Sequence, residues 1–127
     1  MQNIKLYNGV EMLVLGYGVF QVSPQETELC MSDALSVGYR LIDTAQAYFN
    51  EEGVGEAIAK SGIKREYIFW VTKVWISNNS EEKTARSIDE SLRKLKTDYI
   101  DLLLIHQACG DMFGSATDVC QISKFRN

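Results

Sequence analysis

One histidine and one proline stand in the 127 residues, His106 and Pro24. A single histidine among scattered thiols makes no convincing zinc site, so no metal is expected. The cysteines are three, Cys30, Cys109 and Cys120. An odd number without C-x-x-C spacing argues against a disulfide framework and for the reducing cytoplasm. No apolar run nears the roughly 18 residues that cross a bilayer, so no membrane partner is expected. Basic runs and basic-aromatic stripes are missing too, and the net charge is -4. The electrostatic footprint of a nucleic-acid binder is therefore absent. The first residues lack a cationic stretch followed by an apolar one, so no secretory leader is expected. With 46% hydrophobic and 24% charged residues, the composition is that of one globular domain around one core.

What is present is a repeated strand-helix unit. A hairpin opens the chain, with Ile4 and Leu6 before an Asn8-Gly9 turn and Met12 to Leu15 after it. Asn-Gly suits such a turn because both residues tolerate positive φ. Residues 14 to 20 form or lead into a first core strand. A helix follows, with Ser23 as cap, Pro24 at its first position and Glu26 completing a capping box. Cys30, Ala34 and Val37 are expected on its buried face, and Gly38 suits a left-handed stop. Tyr39 to Thr44 reads as the second strand and Glu51 to Ser61 as the second helix, closed by Gly62. Ile68 to Thr72 is a third strand, apolar without alternation as in sheets buried on both faces. A third helix starts at Asn79 or Ser80 and buries Ala85, Ile88, Leu92 and Leu95. Ile100 to Ile105 is the fourth strand. Strands alternating with helices predict βαβ crossovers and a parallel sheet. Residues 107 to 127 carry no comparable pattern.

Three strands end in a polar residue after an apolar run: Asp43, Lys73 and His106, each about thirty residues from the next. In a parallel sheet such positions converge on the carboxyl-end face, where ligands bind in α/β folds. Tyr48, in the loop after Asp43, reaches the same face. Singly, each has a plain reading: a loop cap, a solvated lysine, a core histidine, a packing tyrosine. At matching positions together they suggest chemistry. An ammonium beside a phenol favours the phenolate, and a carboxylate keeps that ammonium charged. A neutral histidine can orient a carbonyl. The set suits protonation of a carbonyl oxygen while its carbon accepts a hydride, which only a cofactor can supply. Gly16-Tyr17-Gly18 is no Rossmann fingerprint, since Gln21 stands where the third glycine belongs. Gly53-x-Gly55 reads as close helix packing.

The stretches "LGYGVFQV", "YRLIDTAQAYFNEEGVGEAI", "WVTKVW" and "SLRKLKTDYIDLLLIHQ" closely resemble the amino-terminal half of aldo-keto reductases. The resemblance extends from about residue 4 to Ser115, including "GDMFGS", and residues 116 to 127 depart from it. It implies an α/β fold, the first four strand-helix units of a (β/α)8 TIM barrel behind a hairpin. It also implies reduction of aldehydes and ketones with NADPH, in some members NADH. Asp43, Tyr48, Lys73 and His106 become the catalytic set, with Tyr48 as proton donor. Gly18, Val19, Phe20 and Asp43 would line the nicotinamide end, and Trp75 would stand with Tyr48 and His106 beside the substrate. Ala108 stands where many relatives have proline. A whole barrel takes roughly 250 residues, so the chain is expected to lack the family's second half and the strands that hold the cofactor phosphate. Three readings stay open: a truncated reductase with poor turnover, half-barrels that self-associate through open sheet edges, or a non-catalytic interaction module.

Overall fold

The computed structural model describes residues 2–107. The expected tail, "GDMFGS", Cys109 and Cys120 lie outside the described residues. Strands β1 (Asn3–Lys5) and β2 (Glu11–Leu13) form the antiparallel hairpin, with Asn3 opposite Leu13 and Ile4 opposite Met12. Gly9 sits at φ 87°, and the Asn8 side chain accepts a hydrogen bond from the Val10 amide at 3.2 Å. The turn chemistry explains the hairpin.

Four parallel strands follow: β3 (Gly16–Gly18), β4 (Leu41–Asp43), β5 (Phe69–Val74) and β6 (Leu102–Ile105). They lie side by side in chain order. Helices α1 (Pro24–Ser36), α2 (Glu51–Ser61) and α3 (Glu81–Leu95) fill the three connections. This is an α/β fold with a parallel sheet. Among the described residues β3 pairs only with β4 and β6 only with β5, so the sheet does not close.

Side-chain alternation along the strands sorts the core into two sides. Leu41, Phe69 and Val71 pack with Leu102 and with Leu6, Val10, Met12 and Leu13 of the hairpin segment. Ile42 and Trp70 point the other way, into Met31 and Leu35 of α1, Val54 and Ile58 of α2, and Leu95 of α3. Each such fully buried side chain contributes roughly 1.5–3 kcal/mol. The hairpin thus covers the beginning of the first side. Asp43 and Lys73, two residues beyond Leu41 and Val71 on that side, are left at the open end.

The second helix runs over the predicted residues, Glu51–Ser61, and ends at Gly62 with φ 70°. Other strands differ from expectation by one or two residues at their ends. Two helix faces needed correction. In α1 the buried residues are Thr27, Met31, Ala34 and Leu35, whereas Cys30 is half-buried and Val37 is 75% exposed. The helix stops at Ser36, which leaves Val37 beyond its last turn. Thr27 can be buried because its hydroxyl donates to the Ser23 carbonyl at 2.7 Å. In α3 Ala85 is half-buried, and Thr84 and Ser91 lie inside with Ile88, Leu92 and Leu95. The α1 capping box also differs. Ser23 donates its hydroxyl to the Glu26 carboxylate at 2.6 Å and caps no backbone amide. Ser80 does cap α3, accepting from the Lys83 amide at 3.3 Å.

Candidate active site

The sheet register brings the strand ends together. Gly18 pairs with Asp43, Asp43 with Val71, and Lys73, two residues further along β5, with Leu104. His106 follows β6 directly and donates its amide to the Val74 carbonyl at 2.9 Å. Tyr48 arrives on a 3-10 turn, Gln46–Tyr48, after β4.

Lys73 is the centre of the cluster. Its Nζ donates to Asp43 Oδ1 at 2.7 Å and Oδ2 at 2.9 Å, and to the Thr44 carbonyl at 2.9 Å. The Tyr48 hydroxyl accepts from it at 3.3 Å. The lysine side chain is only 14% exposed against 35% for the aspartate, so the ammonium is the deeper member of a partly buried ion pair. A charge so placed needs its partners: a buried ammonium without acceptors would be costly.

Aromatic rings surround the tyrosine. Phe20 lies 5.0 Å from the Tyr48 ring between centroids, and His106 lies 5.8 Å away, edge-on at 85°. Trp75 meets His106 at 5.2 Å and 79°. The structure therefore brings Asp43, Tyr48, Lys73, His106, Phe20 and Trp75 into one cluster. Burial, and then the Lys73 charge, push the His106 pKa below its ordinary value, with Asp43 opposing. The imidazole is accordingly neutral at physiological pH.

The space above the carboxylate is open at Gly18, where a Cβ would meet only Asp43 Oδ2, at an ordinary contact distance of 3.8 Å. Phe20 is exposed at the same edge. Val19 is the exception: it is fully buried in the core with Met31, Ile42 and Trp70. Its side chain faces the helices and not the site, because alternation turns it away from Gly18 and Phe20.

Three polar residues around Tyr48 escaped the sequence reading. Gln46 bonds to the loop after β5 and to α3. Asn50 is 1% exposed; its Nδ2 donates to the Val19 and Val22 carbonyls at 2.8 and 3.1 Å, and its Oδ1 accepts from Thr44 Oγ1 at 3.1 Å. It thereby joins the loop after β3 to the residue whose carbonyl holds Lys73. Glu51 is 2% exposed and accepts from Thr72 Oγ1 at 2.8 Å and Ser91 Oγ at 3.2 Å. The only hint of these roles was their position beside Tyr48, and acidic residues at a helix start are ordinarily solvated.

Burial raises the Glu51 pKa above its ordinary 4.5, with the two hydroxyl bonds opposing. An acid raised on folding contributes stability that is full below the unfolded value and is lost as pH rises through the folded one. Glu51→Gln is expected to remove that loss, so its urea midpoint should exceed the wild-type midpoint at mildly alkaline pH and converge with it below pH 4.5. Parallel midpoint-against-pH curves for the two proteins would contradict this.

Fold and site together define a β/α protein with a lysine-supported tyrosine at the carboxyl ends of parallel strands. The aldo/keto reductase family model matches residues 6–112. The chain belongs to the aldo/keto reductase family. It is 52% identical over 103 residues to methylglyoxal reductase DkgA of Yersinia pestis, covering 81% of this chain and 36% of that protein. Over 103 residues it is 48% identical to morphine 6-dehydrogenase of Pseudomonas putida, with 81% and 35% covered. The chain spans about a third of the length of these curated relatives. Among solved structures, an aldo/keto reductase from Brucella melitensis superposes with a TM-score of 0.84 at 50% identity, over 88% of this chain and 44% of that one. A Bombyx mori aldo-keto reductase in complex with NADP gives 0.78 at 36% identity, over 83% and 38%.

Proposed function

We propose that the chain carries the proton-transfer site of a reductase that converts aldehydes and ketones to alcohols with NADPH. The observation that carries this reading is the Lys73 ammonium, held by both Asp43 oxygens and 3.3 Å from the Tyr48 hydroxyl, with the His106 ring 5.8 Å from the Tyr48 ring. Gly18, Phe20 and Asp43 fit the nicotinamide end, since the space over the carboxylate is open and Phe20 is exposed beside it. The NADP bound to the Bombyx mori relative supports this choice of cofactor. NADPH, when bound, supplies the hydride.

The chain's own residues do the rest. A substrate carbonyl lies between Tyr48 and His106, against Trp75, and accepts hydrogen bonds from the phenol and from a neutral imidazole N–H. As the carbonyl carbon gains the hydride, its oxygen takes the Tyr48 proton, leaving an alcohol and a tyrosinate. Lys73 stabilises that negative charge without giving up its own proton, and Asp43 keeps Lys73 charged. Water returns the proton to Tyr48. Small carbonyl compounds are the proposed substrates, in line with the relatives named methylglyoxal reductase.

The test is carbonyl-dependent loss of NADPH absorbance with the wild-type chain and with Lys73→Met. The wild type should turn over, and the variant should be at least about 100-fold slower, the lower range for loss of assisted proton transfer. Equal rates in the two proteins, zero included, would overturn the reading.

A further inference from the structure

Gln46 opens the turn that ends at Tyr48, and its side chain is fully engaged. Nε2 donates to the Ser87 carbonyl at 3.1 Å and to Ser91 Oγ at 3.2 Å. Oε1 accepts from the Trp75 amide at 2.9 Å and from Asn78 Nδ2 at 3.0 Å. Both ends of the amide are therefore oriented by their partners, since a flipped amide would set NH2 against the Trp75 N–H and oxygen against a carbonyl. One side chain ties the tyrosine turn to α3 and to the backbone of the β5–α3 loop.

The turn needs such an anchor. It is followed by Phe49, whose φ of 56° lies in the left-handed region that a bulky residue seldom occupies. Phe49 is also exposed, so its own packing does little to hold it. Beside Gln46 and Trp75 lies a cavity of about 200 Å³ bordered by Phe49, Glu51, Asn78 and Lys94. If the Gln46 bonds were lost, the Trp75 segment would have room to move.

We infer that Gln46 is a positioning residue that sets the separation between Tyr48 and Trp75 and thereby selects the shape of carbonyl compound admitted. The inference rests on the reductase reading above and deepens it. Gln46 acts through the backbone of Trp75, and none of its hydrogen bonds reaches Tyr48 Oη, Lys73 or His106.

The test uses Gln46→Met, which keeps length and removes all four bonds, and Gln46→Glu, which keeps an acceptor for the Trp75 N–H. Hydrogen exchange at the Trp75 amide should be about tenfold faster in Gln46→Met, as expected for one lost hydrogen bond, and should return towards wild type in Gln46→Glu. Exchange at the β5 amides should not change. In the same proteins, the ratio of kcat/KM for an aromatic aldehyde over a three-carbon aldehyde should move at least about fivefold in Gln46→Met, mostly through KM, with the pH profile of kcat unchanged. Unchanged protection at Trp75, or turnover with an unchanged ratio, overturns the inference while the reductase reading stands. A wild type that reduces neither aldehyde overturns that reading and the inference with it.

Discussion

Tyr48→Phe is expected to lower kcat for carbonyl reduction by about 10²–10⁴, the usual worth of a positioned general acid. The substitution removes one oxygen, and that oxygen is the only part of Tyr48 in contact range of the Lys73 ammonium as a hydrogen-bond partner. The ring stays. Its contacts with Phe20 and His106 persist, so the fold and the shape of the opening should persist too. Lys73 retains three acceptors, both Asp43 oxygens and the Thr44 carbonyl, and is left with no unmet charge. The loss should therefore appear mainly in kcat, with the unfolding midpoint close to wild type. Steady-state kinetics beside a thermal melt make the comparison. An unchanged kcat would remove Tyr48 from the role of proton donor.

Gly55→Ala should destabilise the chain by about 2 kcal/mol, within the usual cost of overpacking a core. The opposite sign would be expected from helix propensity, because alanine gains roughly 0.5–1 kcal/mol over glycine in a helix interior. Contact decides between them. A Cβ at Gly55 would meet the Lys94 carbonyl oxygen at 2.3 Å and the Leu95 Cα and carbonyl carbon at 2.8 Å. These are backbone atoms at the end of α3, which cannot rotate aside as a side chain could. Relief requires α2 and α3 to separate, and Leu95 belongs to the core that α2 shares. The amino end of α2 carries Asn50 and Glu51, so a shifted helix would also disturb the support behind Thr44 and Thr72. Urea unfolding measures the effect, and a midpoint at or above wild type would reject it. Gly53 faces Thr27 of α1, whose Cβ would be 2.9 Å from an added methyl group, so it serves the neighbouring helix contact.

Much of this arrangement is legible in the sequence alone. The Asn8-Gly9 hairpin, the boundaries of α2 and the polar residues ending β4, β5 and β6 all follow from local signals. Close packing at Gly53 and Gly55 was legible as well, although not which helix each one meets. The buried face of α1 was not legible. Its apolar residues are few, and a threonine that satisfies its own hydroxyl within the helix takes a core position. The direction of the Val19 side chain was not legible for a related reason: adjacency to Gly18 and Phe20 says nothing of which way one side chain turns. Gln46, Asn50 and Glu51 read as ordinary loop and helix-start residues, since apart from Thr44, six residues before Asn50, their partners lie between 21 and 45 residues away in the chain.

By itself, then, the sequence determined the elements, their order and the strand ends on which Asp43, Lys73 and His106 stand. Hydrophobic period, turn chemistry and capping act over a few residues and leave a readable trace. Only the tertiary structure decided that Lys73 reaches Tyr48 as well as Asp43, that Val19 faces the core, and that Asn50 and Glu51 are buried behind the site with Gln46 half-buried beside them. Burial and hydrogen-bond partnership depend on which distant segments pack together, and no local pattern encodes that pairing.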